Sequence, residues 1–173
     1  MIAFHVTTKD YEEGTLYSIE SFEGLSYYHQ SLIEPEQRCI NDVIDACRPH
    51  GAPSRKKCFY TFGQQEDCLG FVNNLEGYKI YQVEINTEVP HPMYLIDFIN
   101  RHRNVVYSLA SVYWDPTYAD RFSVKEYIGT EMCIISRINL PPNNCIDRSL
   151  MIMKYGDDRQ LCYQLCRQMG IQI

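Results

Sequence analysis

No stretch of this chain approaches the roughly 18–20 consecutive apolar residues that a helix needs to cross a bilayer. There is no CxxC pair, no GxxxxGK[ST], no GxGxxG, no HExxH and no GxSxG. The commonest phosphate-loop, dinucleotide, metalloprotease and serine-hydrolase chemistries are thereby set aside. Positive charge is in short supply: 16 Lys and Arg face 22 Asp and Glu, a formal net charge of −6. A protein that coats nucleic acid wants a basic surface, so stable nucleic-acid binding is not expected, although a local basic groove remains open. The opening Met1-Ile2-Ala3-Phe4-His5-Val6 has neither a basic n-region nor an apolar h-region. The expectation is a cytoplasmic protein without a secretory signal or membrane contact. No internal repeat or low-complexity tract is present.

What is present is core material. The chain has 173 residues, 45% hydrophobic and 13% aromatic, with 14 Tyr and a single Trp. That suits one compact domain over residues 1–173 and excludes intrinsic disorder. Eight cysteines raise the question of disulfides, but a chain with its own core and no export signal is expected to keep them reduced. Cys162 and Cys166, at i and i+4 of a predicted helix, supply only two soft ligands, too few to close a zinc site, so no metal is expected.

Period-2 alternation predicts strands over residues 2–8, 57–62, 78–85 and 132–138. Glu12 to Leu16 reads as a turn entering a short extended piece. Helical spacing predicts helices from Pro35 to Cys47, from Gln64 to Val72 and from Asp157 to Met169, with Pro35 suited to a first turn. In the last of these, Leu161, Leu165 and Met169 form the apolar stripe. Arg48 to Pro53, Pro90 to Pro92 and Pro141 to Asn144 read as breaks. Met93 to Asn100 is short and mixed, and Leu109 to Trp114 fits a helix or a strand. His91, His102, Arg101 and Arg103 carry no metal spacing and are expected to face solvent, whereas Trp114 is expected in the core. Short strands and helices in no regular βαβ order indicate an α+β fold with a mainly antiparallel sheet.

Three pieces carry possible chemistry. In Phe4-His5-Val6-Thr7-Thr8 the histidine lies on the strand face opposite Phe4 and Val6. In Ser54-Arg55-Lys56-Lys57-Cys58-Phe59-Tyr60-Thr61-Phe62, a basic run opens a strand. Such runs usually mark a solvated entrance, but Arg55 is able to hold a phosphate and Tyr60 to offer a ring to a planar ligand. In Lys125-Glu126-Tyr127-Ile128-Gly129-Thr130-Glu131, a strand-edge carboxylate is placed to stabilise a developing cation or to be a plain surface acid.

Taken in order, these pieces resemble the ADP-ribosyltransferase superfamily, in its diphtheria-toxin-like branch with a His-Tyr-Glu triad, and within it small bacterial or phage, toxin- or effector-like members. Phe4-His5-Val6-Thr7 stands for the His strand, Phe59-Tyr60-Thr61-Phe62 for the Tyr strand and Glu126-Tyr127-Ile128 for the Glu strand. Pro53-Ser54-Arg55 and Tyr113-Trp114 match a further bacterial family of this kind. The resemblance implies a split antiparallel sheet with flanking helices and NAD, as substrate, in the cleft between its halves. It implies Glu126, Tyr60 and His5 as catalytic residues, and His5, Thr7, Arg55 and Tyr60 as NAD contacts, with Arg55 on the pyrophosphate. The activity implied is a glycosyltransferase-class transfer of ADP-ribose to a macromolecular acceptor, a protein ahead of a nucleic acid or small molecule. Arginine-directed members place Glu or Gln two residues before the catalytic Glu, where this chain has Val124. Glu131 competes with Glu126 for the carboxylate role. The enzyme reading requires His5, Tyr60 and Glu126 to line one cleft. A Glu126 turned away, or a cleft filled by its own aromatic rings, would mark the alternative, an inactive member of the fold that binds a nucleotide or a partner.

Overall fold

The computed structural model describes residues 1–21, 26, 29, 32, 34–71, 76–140 and 148–173. In chain order its elements are β1 (Ile2–Thr7), β2 (Leu16–Ser18), α1 (Pro35–Ala46), β3 (Phe59–Phe62), α2 (Gln65–Phe71), β4 (Lys79–Ile85), β5 (Pro90–Pro92), α3 (Met93–Arg101), α4 (Val106–Trp114), α5 (Pro116–Ala119), β6 (Lys125–Gly129), β7 (Glu131–Ile138) and α6 (Ser149–Gln168). The seven strands form one antiparallel sheet in the order β2-β7-β4-β1-β3-β6-β5. The α+β class and antiparallel pairing follow the sequence expectation. Among the described residues no helix is long and apolar enough to cross a membrane.

The register divides the sheet into two chemically different faces. Directly opposed residues of an antiparallel pair share a face, and neighbours along a strand alternate. Phe4 opposes Phe62, Phe62 opposes Glu126, and Glu126 opposes His91. That face, with Tyr60 and Ile128, packs against α1, α3, α4 and α6 through Ile40, Ile44, Leu95, Phe98, Leu109, Tyr113 and Leu165. The other face carries Ala3, Phe59, Tyr81, Val83, Ile85, Met132 and Ile134, capped by Tyr11, Tyr17 and Ile19. The seam between β1 and β3 has a single registered pair, Phe4 with Phe62, whereas every residue of β1 from Ile2 to Thr7 is paired to β4.

Several elements depart from the sequence expectation for identifiable reasons. Pro90-His91-Pro92 is a strand and not a break, since β5 lies at the sheet edge, where a missing N–H costs no ladder bond. Met93 to Arg101 is a full helix whose Met93, Tyr94, Leu95, Ile96, Phe98 and Ile99 are buried, with Asp97, Asn100 and Arg101 together on the remaining face. The 106–114 segment resolves to helix. The last helix starts at Ser149 and passes through Gly156, which weakens a helix locally without ending it. Its buried residues are Met151, Asp158, Cys162, Leu165 and Cys166, while Met169 of the expected stripe is exposed. The predicted break at 141–144 lies outside the described residues. Seven cysteines (39, 47, 58, 68, 133, 162 and 166) carry free thiols.

Gly129 is required by a close approach. A Cβ there would lie 2.5 Å from Cγ1 of Ile85 and 2.7 Å from Oδ1 of Asn86, which itself accepts from the backbone N–H of Thr130 and Glu131. Gly129→Ala is expected to destabilise the fold by about 1–3 kcal/mol through overpacking. In a thermal melt each kcal/mol should lower Tm by about 2–4 °C for a chain of this size; an unchanged Tm would contradict the packing described.

Candidate functional site

The helical face of the β3–β6 pair holds a buried ionic cluster. Its origin is a turn: the N–H of Lys57 donates to the carbonyl of Ser54, so that the chain reverses just ahead of β3. Arg55 consequently turns inward while Lys56 and Lys57 remain outside, Lys56 in an exposed ion pair with Asp42. The brace is Asp45, near the end of α1. It accepts from the backbone N–H of Arg55 at 2.7 Å, from Oγ of Ser54 and from Nη1 of Arg48.

Arg55 is 2% exposed, and its Nη1 donates to Oε1 of Glu126 at 2.7 Å and to the hydroxyl of Tyr113. The Tyr113 hydroxyl in turn donates to the same Oε1 at 2.8 Å. Two donors therefore converge on one carboxylate oxygen, and among the described residues Oε2 accepts no hydrogen bond. Glu126 is 6% exposed. The Arg55 guanidinium also lies 4.5 Å from the Tyr113 ring centroid and 5.1 Å from that of Tyr60, whose hydroxyl donates to the Arg55 carbonyl. His91 stacks on Tyr113 at 4.9 Å and 13°, its Nδ1 3.1 Å from the Tyr113 carbonyl. Trp114 fixes the end of α4 by donating from Nε1 to the Ile44 carbonyl at 2.6 Å.

Burial makes the surroundings neutral. It raises the Tyr60 and Tyr113 hydroxyls well above their ordinary value and pushes the Cys58 thiol up to about 12, the nearby Arg55 cation opposing each shift. It pushes His91 below the usual histidine value. The cluster thus holds one cation and one carboxylate within a wall of uncharged rings.

The structure brings together three of the five residues expected at the site, Arg55, Tyr60 and Glu126. His5 and Thr7 lie on the opposite face, and the requirement that His5 share one cleft with Tyr60 and Glu126 is not met by face alternation. His5 packs edge-on against Tyr11 and Phe59 and reaches across the seam to the Tyr60 carbonyl, Nδ1 to O at 2.8 Å. Thr7 is buried and its Oγ1 accepts from the N–H of Lys9. Arg55, expected on the pyrophosphate, has its Nη1 engaged by Glu126 and Tyr113. His91 is also corrected: it is buried beside Glu126 in register, not solvent-facing. Glu131 is exposed and lines an open groove of ≈ 480 Å³ with Glu84, Glu88, Leu16 and Cys133, away from the cluster. Asp45 escaped sequence reasoning, and Tyr113 entered it only through the Tyr113-Trp114 match, with no site role. Tyr113 sits in an apolar run that reads as core, and Asp45 is one acid among several on α1. Among the described residues no three His, Cys, Asp or Glu side chains converge as metal ligands.

Two stability measurements test this geometry. Arg55→Met should cost about 3–5 kcal/mol in denaturant unfolding, because it strands a buried carboxylate, and the R55M/E126L double variant should recover at least half of that. Additive losses would mean that the two side chains are not coupled. The second concerns His5, lowered from 6.5 to about 4 by burial, with its bond to the Tyr60 carbonyl opposing. Between those values the unfolded chain binds a proton that the folded one does not, so stability is complete above about pH 7 and is lost as pH falls towards 4. The loss is of the order of 3 kcal/mol. His5→Gln should flatten that slope; a slope unchanged by the substitution would place its origin elsewhere. No protein-family model matches the chain, and the search of curated proteins gives no match.

Proposed function

We propose that this chain is an NAD-dependent ADP-ribosyltransferase with Glu126 as its catalytic carboxylate and a protein as the favoured acceptor; since His5 lies on the far face, the reading gives up the shared cleft of His5, Tyr60 and Glu126 and keeps only Tyr60 and Glu126 at the site. The observation that carries the reading is the division of labour within Glu126. Oε1 is held by Arg55 and Tyr113, and Oε2 is left to accept a substrate hydroxyl. In the reaction, Oε2 accepts from the 2′-hydroxyl of the nicotinamide ribose. The bond between C1′ and the nicotinamide nitrogen breaks, and its electron pair leaves with neutral nicotinamide. Positive charge develops on the ribose, and a fixed carboxylate beside it lowers the barrier. The acceptor's lone pair then forms the new bond to C1′ and its proton passes to solvent. Tyr60, on the same face one strand away, offers its ring to the nicotinamide. His5 acts through the backbone: its bond to the Tyr60 carbonyl ties β3 to β1 where the sheet has one registered pair.

A second reading has specific support: a non-catalytic member of the same fold that binds a nucleotide or a partner. It is favoured by the neutralisation of Glu126 by Arg55, by the protein's own rings around it, and by the placement of His5 on the far face.

One experiment separates the two. Purified protein is incubated with NAD and a cell protein extract, and released nicotinamide is followed by chromatography, with NAD affinity measured in parallel. The transferase reading expects release by the wild type, a loss of about 10²–10³-fold in Glu126→Gln with NAD binding retained, and unchanged release in Glu131→Gln. NAD binding without release supports the second reading. Absence of NAD binding overturns the transferase.

A further inference from the structure

We propose that Tyr113 is a positioning residue for Glu126, aiming its uncommitted oxygen at the ribose hydroxyl; this rests on the transferase reading above. Three hydrogen bonds join Arg55 Nη1, the Tyr113 hydroxyl and Glu126 Oε1 pairwise. With Arg55 alone, the carboxylate plane can pivot about a single hydrogen bond. The Tyr113 hydroxyl gives Oε1 a second anchor, which narrows that pivot and with it the range of directions open to Oε2. Tyr113 is suited to the task because each of its own degrees of freedom is taken up. The ring is fully buried, stacked on His91 and set edge-on to Trp114 at 5.0 Å. Its hydroxyl proton has one acceptor, Oε1, because the Arg55 side chain can only donate to it. His91 is held in turn by its place opposite Glu126 in the β5–β6 register and by its contact with the Tyr113 carbonyl.

The test is Tyr113→Phe, which removes one oxygen and keeps the ring, the stack and the packing. Steady-state nicotinamide release should show kcat reduced by about 10–100-fold, the scale on which supporting residues act on a site. KM and the directly measured Kd for NAD should stay within twofold. Placing 4-aminophenylalanine at position 113, which restores a donor at the same point of the ring, should recover most of kcat. The positioning role is overturned by a kcat equal to wild type in Y113F, by KM and kcat changing together, or by failure of the amine to rescue. A Y113F protein that no longer unfolds cooperatively also overturns it, by assigning the hydroxyl to the core. Failure of the transferase reading looks different: the wild type itself then releases no nicotinamide.

Discussion

The ion pair between Arg55 and Glu126 joins residues 71 apart and lies where the helices meet the sheet. Removing both charges from water is expensive, and a buried pair of this kind is often no more stabilising than well-packed apolar residues. Its presence is therefore explained less by stability than by what it fixes. The guanidinium is held from behind: Asp45 anchors the Arg55 backbone, and Tyr60 donates to the Arg55 carbonyl. The carboxylate is held by the strand, since Glu126 lies between Phe62 and His91 in the ladder. Helix α1, the turn before β3, helix α4 and strand β6 are all referred to one point.

The same ladder explains why His5 is chemically remote from that point although it touches Tyr60. Alternation along β1 sends Phe4 and Val6 towards the ionic face and His5 into the aromatic one. Burial there keeps the imidazole neutral down to about pH 4, which suits a ring that ties two strands together and not one that exchanges protons near neutrality. One strand therefore serves both faces with opposite chemistry, apolar packing under the helices on one side and a polar tie across the seam on the other.

The strands were legible because their signal is local. Tyr78 to Ile85 alternates within itself, and Lys79–Ile85 is the strand observed. The sites of failure are those where the deciding fact is not local. Pro90 and Pro92 break a central strand but not an edge one, and edge position is a property of the sheet. Arg55 heads a run of three cations, and nothing in the run tells which will turn inward; the turn at Ser54–Lys57 and the distant Asp45 and Glu126 decide it. Tyr113 is surrounded by apolar neighbours, so its hydroxyl is invisible until its partner is in place. Glu126 and Glu131 look alike in sequence, and only the sheet order, with β6 between β3 and β5 and β7 between β2 and β4, separates a carboxylate under the helices from one on an open groove.

A buried carboxylate with donors on both oxygens is a structural element, because every lone pair that chemistry needs is already engaged. A carboxylate with no fixed donor wanders and stabilises a developing charge poorly, since it must reorganise as the charge appears. Glu126 lies between these limits. Two donors on Oε1 fix the group, and Oε2 remains a fixed acceptor inside a wall of neutral rings. Arg55 lowers the net charge of the pair without occupying that oxygen. What the arrangement supplies is one acceptor oxygen on a carboxylate whose other oxygen is held by a buried cation and a buried hydroxyl.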